Sequence, residues 1–352
     1  MIKIGVMGAG YWGAKHIRNF HEIRDAELTV VCDRSMERLA VVGASYPGVR
    51  TTQSFEELID SDVDGVVIAT PPQSHAPLAA RAIAAGKHVL VEKPAATSVQ
   101  ELAELVEAAR RAGVAFMAGH TYEFHGAVEF LREYVASGEL GELFYVDSAR
   151  LNLGLFQSDV DVMWDLAPHD ISMINYILGE EPECVSARGT AHINPMRLEV
   201  AHLEMLYSRN VTAHIHVSWL DPCKVRRLTL VGSRKMAVFD DVSESDRVRI
   251  YDKGVVPTSS DGGLSDFSYP PVTYRYGDVY VPYIAMKEPL NVECRHFVDC
   301  IATGTVPRSG AESAMRVVRV LERASASAQD GGARQLVAAP PNRNGVLMKH
   351  YA

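Results

Sequence analysis

The chain has 352 residues, enough for two domains of ordinary size, each with its own core. Hydrophobic residues make up 47% and charged residues 22%, the balance of an ordinary globular protein rather than a disordered or fibrous one. The formal net charge is −9, and the basic residues are scattered rather than striped, which argues against nucleic acid or an anionic membrane as partner. Over the first 120 residues short apolar runs alternate with helical patterns, which predicts parallel βαβ units. Lys3–Gly8 reads as a strand, Ala14–Ile23 as a helix and Ala26–Asp33 as the second strand, with a helix starting near Ser35. Ser54–Ile59 is a short Ser-capped helix, and Asp64–Thr70 is an unbroken apolar run that fits a strand buried on both faces. The alanine-rich Gln73–Ala85 is a helix stopped at Gly86. His88–Glu92 is a strand, Ser98–Ala112 a helix opened by the capping box Ser98/Glu101, and Val114–Gly119 the last strand. These elements predict a dinucleotide-binding domain over residues 1–121.

Beyond His120 the pattern changes. Ala127–Ala136 is an amphipathic helix, Glu142–Asn152 alternates as a strand, and Trp164–Leu178 is a helix ending at Gly179. From Glu183 to Tyr251 the sequence is strand-like, over Val200–Tyr207, Val211–Leu220, Arg226–Val231, Met236–Asp240 and Val248–Tyr251. Turn signals at Ser208-Arg209-Asn210 and Gly232-Ser233 imply antiparallel neighbours. Pro257–Tyr283, rich in Gly, Ser, Pro and Tyr, reads as a long loop before two helices, Pro289–Ala302 and Ala311–Ala328. The expected fold class is α/β: a parallel Rossmann sheet, then an α+β domain over residues 122–352 with a large, mainly antiparallel open sheet.

The five cysteines are dispersed and form no CxxC pair, so reduced structural thiols are expected. The first strand begins at Ile2, which leaves no room for a signal peptide, and no apolar run approaches the roughly 20 residues of a membrane span. A cytoplasmic location is the expectation.

Gly8-Ala9-Gly10-Tyr11-Trp12-Gly13 follows the first strand and opens a helix. Gly8 permits the tight turn, Gly10 the approach of a pyrophosphate, and Gly13 the packing of helix on strand, while the helix N-terminus offers free N–H groups. Asp33 stands 20 residues after Gly13 at the end of the second strand. A carboxylate there accepts hydrogen bonds from both ribose hydroxyls and repels a 2′-phosphate, which favours NAD over NADP. Arg34 beside it could stack on adenine or meet a 2′-phosphate, and a capping role remains the alternative for Asp33.

Two further motifs make the reading specific. The strand ending at Thr70 runs into Pro71-Pro72-Gln73-Ser74-His75, and the next strand ends in Glu92-Lys93-Pro94. A glycine loop, a TPxxxH-like turn and an EKP triplet in this order resemble the Gfo/Idh/MocA oxidoreductases, the family of glucose–fructose oxidoreductase and inositol dehydrogenase. Gly119-His120-Thr121, Gly138-Glu139-Leu140-Gly141, Trp164-Asp165 and Pro168-His169-Asp170 look like later landmarks of that family. The Pro-Pro-Gln turn departs from the Pro-Asn of many members, which leaves open which side chain there meets the cofactor. The resemblance implies a Rossmann domain followed by an open sheet that commonly forms a homodimer or homotetramer interface. It also implies cofactor contacts from Gly8, Gly10, Tyr11, Trp12, Gly13, Asp33, Arg34, Thr70, Pro71, His75, Glu92 and Lys93.

Oxidising a secondary alcohol needs a proton acceptor beside the hydroxyl. Lys93 lies at the C-terminal end of a parallel strand, where open α/β sheets bind ligands, and can steady a developing alkoxide. Asp165 and His169 are four apart on a helical segment and so share a face. The resemblance implies an acid–base pair in this D-x-x-x-H arrangement: His169 as general acid/base, Lys93 as its electrostatic partner, Asp165 as orienter. Tyr122, Arg150 and Asn152 are further candidates for substrate contact. Three positive charges, Lys224, Arg226 and Arg227, follow the Trp219 strand. They either protect a sheet edge or bind an anionic group such as a sugar or nucleotide-sugar phosphate. This stretch is similar to the UDP-N-acetylglucosamine 3-dehydrogenase and antibiotic-sugar branches. His202, His214 and His216 could approach one another on neighbouring strands, yet no carboxylate or cysteine pattern completes a site, and no metal is expected. The leading expectation is an NAD-dependent dehydrogenase acting on a sugar, cyclitol or nucleotide sugar. An NAD-sensing regulator without turnover, and a lyase or glycosidase-like enzyme that recycles its NAD, are the alternatives.

Overall fold

A computed structural model of the chain describes residues 1–154, 156–157, 159–257 and 272–337. In the first part strands and helices alternate: β1 (Ile2–Met7), α1 (Tyr11–Glu22), β2 (Ala26–Cys32), α2 (Met36–Ser45), β3 (Arg50–Thr52), α3 (Phe55–Ile59), β4 (Gly65–Ile68), α4 (His75–Ala84), β5 (His88–Glu92), α5 (Val99–Ala112) and β6 (Phe116–Gly119). The local chemistry explains the boundaries. Ser98 accepts a hydrogen bond from the Glu101 amide, as the capping box predicts, while Glu101 accepts from the amide and hydroxyl of Thr97, one residue before the cap, rather than from the Ser98 amide. It ends at Gly113 with φ 68°, a left-handed position that glycine takes without strain. The six strands run parallel in the order β3-β2-β1-β4-β5-β6. All four β4 residues are buried, as expected for a strand covered on both faces. The short β3 was not legible as a strand, since three residues carry no usable periodicity.

The second part continues with α6 (Gly126–Ala136), β7 (Leu143–Leu153), α7 (Val162–Leu178), β8 (Cys184–Thr190), β9 (Val200–Leu206), β10 (Thr212–Ser218), β11 (Leu220–Gly232), β12 (Met236–Asp240), β13 (Val248–Pro257), β14 (Val272–Tyr280), α8 (Pro289–Thr303), α9 (Ala311–Gln329) and β15 (Gln335–Leu336). Nine strands form a sheet ordered β14-β13-β12-β11-β7-β10-β9-β8-β15, antiparallel throughout except that β10 runs parallel to β7. The long loop expected over Pro257–Tyr283 is corrected in its C-terminal part: Val272–Tyr280 is an edge strand paired with β13. Its valines and tyrosines suit a pleated surface; residues 258–271 of the same stretch lie outside the described residues.

Two cores flank the first sheet. Leu102, Leu105 and Ile83 pack on one face, and Ile17, Phe20 and Leu39 on the other. Leu290, Cys294, Phe297 and Val298 of α8 belong to this latter core, so α8 covers the first sheet although it follows strands β7 to β14 of the second in sequence. Gly65 makes that contact possible, since a Cβ there would lie 3.1 Å from Phe297. The third core buries α6, α7 and α9 against one face of the second sheet. Cys223 is exposed and the other four cysteines are buried, all of them free thiols. No helix among the described residues is long and apolar enough to cross a membrane.

Candidate active site

Helix α1 begins at Tyr11, three residues earlier than its apolar pattern suggests, which brings its first turn into the glycine loop. Gly10 caps it without a side-chain hydrogen bond, so the first amides of the helix stay free for an anionic ligand. Gly8 has φ +98°, and a Cβ on Gly13 would sit 1.8 Å from the Gly8 carbonyl oxygen. Gly10 faces open space, with the Arg38 guanidinium 3.7 Å from where its Cβ would be. A dinucleotide pyrophosphate fits this cradle. Asp33 ends β2 nearly buried; Oδ2 accepts from the Ala9 amide at 2.7 Å and Oδ1 from the Ser35 amide at 2.8 Å. The carboxylate thereby ties the glycine loop to the start of α2. Arg34 is exposed beside it, and Arg38 Nη1 stands 3.6 Å from Asp33. Arg38 was not singled out from sequence, although the Ser35 cap places it in the first turn of α2, facing the loop.

Two motif residues expected at the cofactor face inward instead. The His75 ring is buried, with Nδ1 2.8 Å from the Pro94 carbonyl and Nε2 2.6 Å from the Thr70 carbonyl. Burial pushes this imidazole below its usual range. It pins the Thr70–Pro71 turn to the Lys93–Pro94 corner. Glu92 is likewise turned into the core, 2.8 Å from His16 Nε2. Burial alone would raise its carboxyl, but the bond to His16 and the nearby charges of His16 and Lys93 hold it below the usual range.

Lys93 projects from the end of β5 into a cleft of about 590 Å³ between the two sheets. Tyr11, Trp12, Tyr122, Arg150, Asn152, Asp165 and His169 line the same cleft. The Lys93 ammonium donates to the Asp165 carbonyl at 2.6 Å and to Asp165 Oδ1 at 3.1 Å. Trp219 Nε1 donates to Asp165 Oδ2 at 3.1 Å. Asp165 therefore orients Lys93; among the described residues no hydrogen bond joins the Asp165 and His169 side chains. His169 lies edge-on to the Tyr122 ring, with centroids 5.2 Å apart. Burial, then the positive charges of Lys93, Arg150 and Arg226, push its imidazole well below the usual range, so it is neutral near pH 7.

The opposite wall is a buried charge network. Arg150 donates from Nε to Asp170 Oδ2 at 2.7 Å and from Nη1 to the Tyr122 hydroxyl at 3.1 Å. Burial works against its charge, yet Asp170 and Tyr122 keep the guanidinium protonated above its ordinary value. Tyr122 in turn donates to Asp241 Oδ2 at 2.8 Å. Arg226 and Arg247 approach the same carboxylate to 3.6 and 3.8 Å, and His125 Nε2 to 3.4 Å. Burial tends to raise Asp241, but the hydrogen bonds from His125 and Tyr122 and the neighbouring charges bring it down to about 2. Asn152 lines the cleft, and Lys224 stands exposed at its mouth. Lys15, which sequence reasoning passed over, lies 4.3 Å above the Tyr11 ring and 4.6 Å above that of Trp12. His202 and His216 stack at 4.1 Å on the outer face of the second sheet, away from the cleft.

Comparison with known proteins agrees with this architecture in both halves. Residues 2–120 match a profile described as "Oxidoreductase family, NAD-binding Rossmann fold", and residues 128–238 match the "GFO/IDH/MocA C-terminal domain". The chain belongs to the Gfo/Idh/MocA oxidoreductase family. The UDP-N-acetylglucosamine 3-dehydrogenase of Acidithiobacillus ferrooxidans is 27% identical over 302 residues, 86% of this chain and 89% of that one. A 2,7-anhydro-N-acetylneuraminate hydratase of Escherichia coli is 31% identical over 209 residues, 55% of each. The solved structure of GenD2 from gentamicin A biosynthesis, in complex with NAD, superposes with a TM-score of 0.80 at 23% identity, covering 96% of this chain and 97% of that one. The chain spans 53–61% of the length of several curated relatives it matches. As in the family, the first domain is an NAD-binding Rossmann fold.

Proposed function

We propose that the protein is an NAD-dependent oxidoreductase that moves a hydride between nicotinamide and a secondary hydroxyl or ketone of a sugar, cyclitol or nucleotide sugar. The observation that carries this reading is the placing of Lys93 and a neutral His169 in one cleft with the open N-terminus of α1. The bound coenzyme supplies the hydride exchange. The chain's own residues manage the proton and the charge. A neutral His169 ring nitrogen takes the hydroxyl proton. Lys93 Nζ gives two N–H groups to Asp165 and keeps its third for the substrate oxygen, whose negative charge it steadies. Asp165, braced by Trp219, sets the direction of that third bond. Asp33 repels a 2′-phosphate, which supports NAD over NADP, while Arg34 and Arg38 beside it pull the other way. Lys224 and Arg226 supply positive charge for a phosphate-bearing sugar, and the 27%-identical relative that acts on UDP-N-acetylglucosamine supports that end of the substrate range.

Lys93→Met and His169→Ala are expected to keep NADH binding and to cut turnover by about a hundredfold or more. Stopped assays of NADH formation on a polyol and sugar panel, with fluorescence titration of NADH, check both; unchanged turnover in the two variants refutes the site. The open outer face of the second sheet, where Tyr145 is exposed, is the proposed homodimer or homotetramer surface. Sedimentation of Tyr145→Glu as a smaller species than the parent tests it.

A further inference from the structure

A second pocket, of about 380 Å³, lies where the N-terminus of α9 meets the C-terminal half of α7. That volume is near the lower end of small-metabolite sites. It shares no lining residue with the catalytic cleft, so nothing about it rests on the reaction proposed above.

Donors gather at the α9 end of this pocket. Helix α9 runs for 19 residues and opens at Gly310 without a side-chain cap, which leaves the Ala311, Glu312 and Ser313 amides without partners in their own helix. An independent feature points the same way. Asn175 lines the pocket at 5% exposure; its Oδ1 accepts from the Tyr207 hydroxyl at 2.7 Å, and its Nδ2 is buried with no partner among the described residues. A buried donor left unpaired is rare enough to call for an acceptor.

Three guanidinium groups complete the wall. Arg132 lies 4.2 Å over the Tyr176 ring and pairs with no carboxylate among the described residues. Arg308 pairs with Glu129, and Arg316 with Glu312 one turn away. The two carboxylates that line the pocket are already engaged, Glu312 by Arg316 and Glu123 by Ser313 Oγ. Free helix amides, an unpaired buried amide N–H and three guanidinium groups against two partly engaged carboxylates describe an oxyanion site. We propose that this pocket binds a phosphate-class oxyanion, either free phosphate or the phosphoryl group of a small metabolite.

The test is calorimetric titration of the NADH-saturated protein, whose glycine loop is filled, with inorganic phosphate and separately with glucose 6-phosphate. One of the two should bind; tighter binding of the ester identifies a metabolite phosphoryl group, and tighter binding of phosphate the free ion. The Arg132→Gln/Arg316→Gln variant should weaken Kd by about tenfold or more. Val306→Asp, at a position 86% exposed beside the pocket, should do the same without removing any buried contact. Lys224→Gln, at the mouth of the cleft, should leave Kd unchanged. Binding that survives both pocket variants, binding lost in Lys224→Gln, or no heat with either anion overturns the proposal.

Discussion

The two walls of the catalytic cleft hold their polar groups in place by different physics. On the wall built from the first sheet, uncapped backbone amides open α1, and backbone atoms at Gly8 and Gly13 come so close that no side chain fits between them. On the wall built from the second, Arg150, Asp170, Tyr122, Asp241 and Arg226 form a largely buried polar chain gathered from β7, α7, the turn before α6, the start of the loop after β12, and β11. The first wall tolerates no added volume at Gly8 or Gly13. The second can accept changes of shape at its rim but not the loss of a single charge, because a partner left behind stays buried and unpaired.

Substitutions that remove charge or add volume separate the walls. The largest effect is expected from Asp170→Ala, which strands the buried Arg150 and should cost roughly 3–5 kcal/mol in chemical denaturation. Pairing it with Arg150→Met should recover much of that loss, and a double variant as unstable as the single one would break the comparison. Next comes Gly13→Ala. Its Cβ overlaps the Gly8 carbonyl, so the loop must open, at roughly 1–3 kcal/mol and with loss of NADH affinity in fluorescence titration. Gly10→Ala, with only the mobile end of Arg38 nearby, should keep the parent stability. On the second wall a smaller effect than that of Asp170→Ala belongs to Asp241→Asn. The folded pKa of Asp241 is about 2, below its ordinary 3.8, so the charged form stabilises the fold above pH about 4 and that contribution fades as pH falls toward 2. The variant should lose about 2 kcal/mol at pH 7 and converge with the parent near pH 2, as urea unfolding at the two pH values will show.

The same contrast decides what could be read from residue order. The glycine loop, Asp33 and Lys93 were legible because each owes its place to neighbours in sequence: a strand end, a turn, a helix start. Spacing said that His75 and Glu92 belong to the motif but not which way they point, and both turn into the core to hold the turn and the strand end that present Lys93. The four-residue spacing did put Asp165 and His169 on one wall. It could not show that Lys93, 72 residues earlier, takes the Asp165 carboxylate for itself. Asp241, His125 and Trp219 carried no local signal at all, since sheet pairing and packing across distant segments bring them to the cleft. Val272–Tyr280 was hidden for a compositional reason: glycines, serines and prolines of the flanking stretch outweighed its own alternating valines and tyrosines.

Helix α8 has a consequence for the order in which the molecule can be completed. Leu290, Cys294, Phe297 and Val298 fill the core that Ile4, Val6 and Phe20 begin, nearly 300 residues apart in the chain. On the ribosome, the first six strands emerge early with one face only partly covered by α1 and α2, and the rest of that face waits while strands β7 to β14 are made. The nucleotide-binding half is thus completed by a helix made after strand β14, and a fragment cut after residue 121 would carry the coenzyme loop on a sheet that has lost part of its cover.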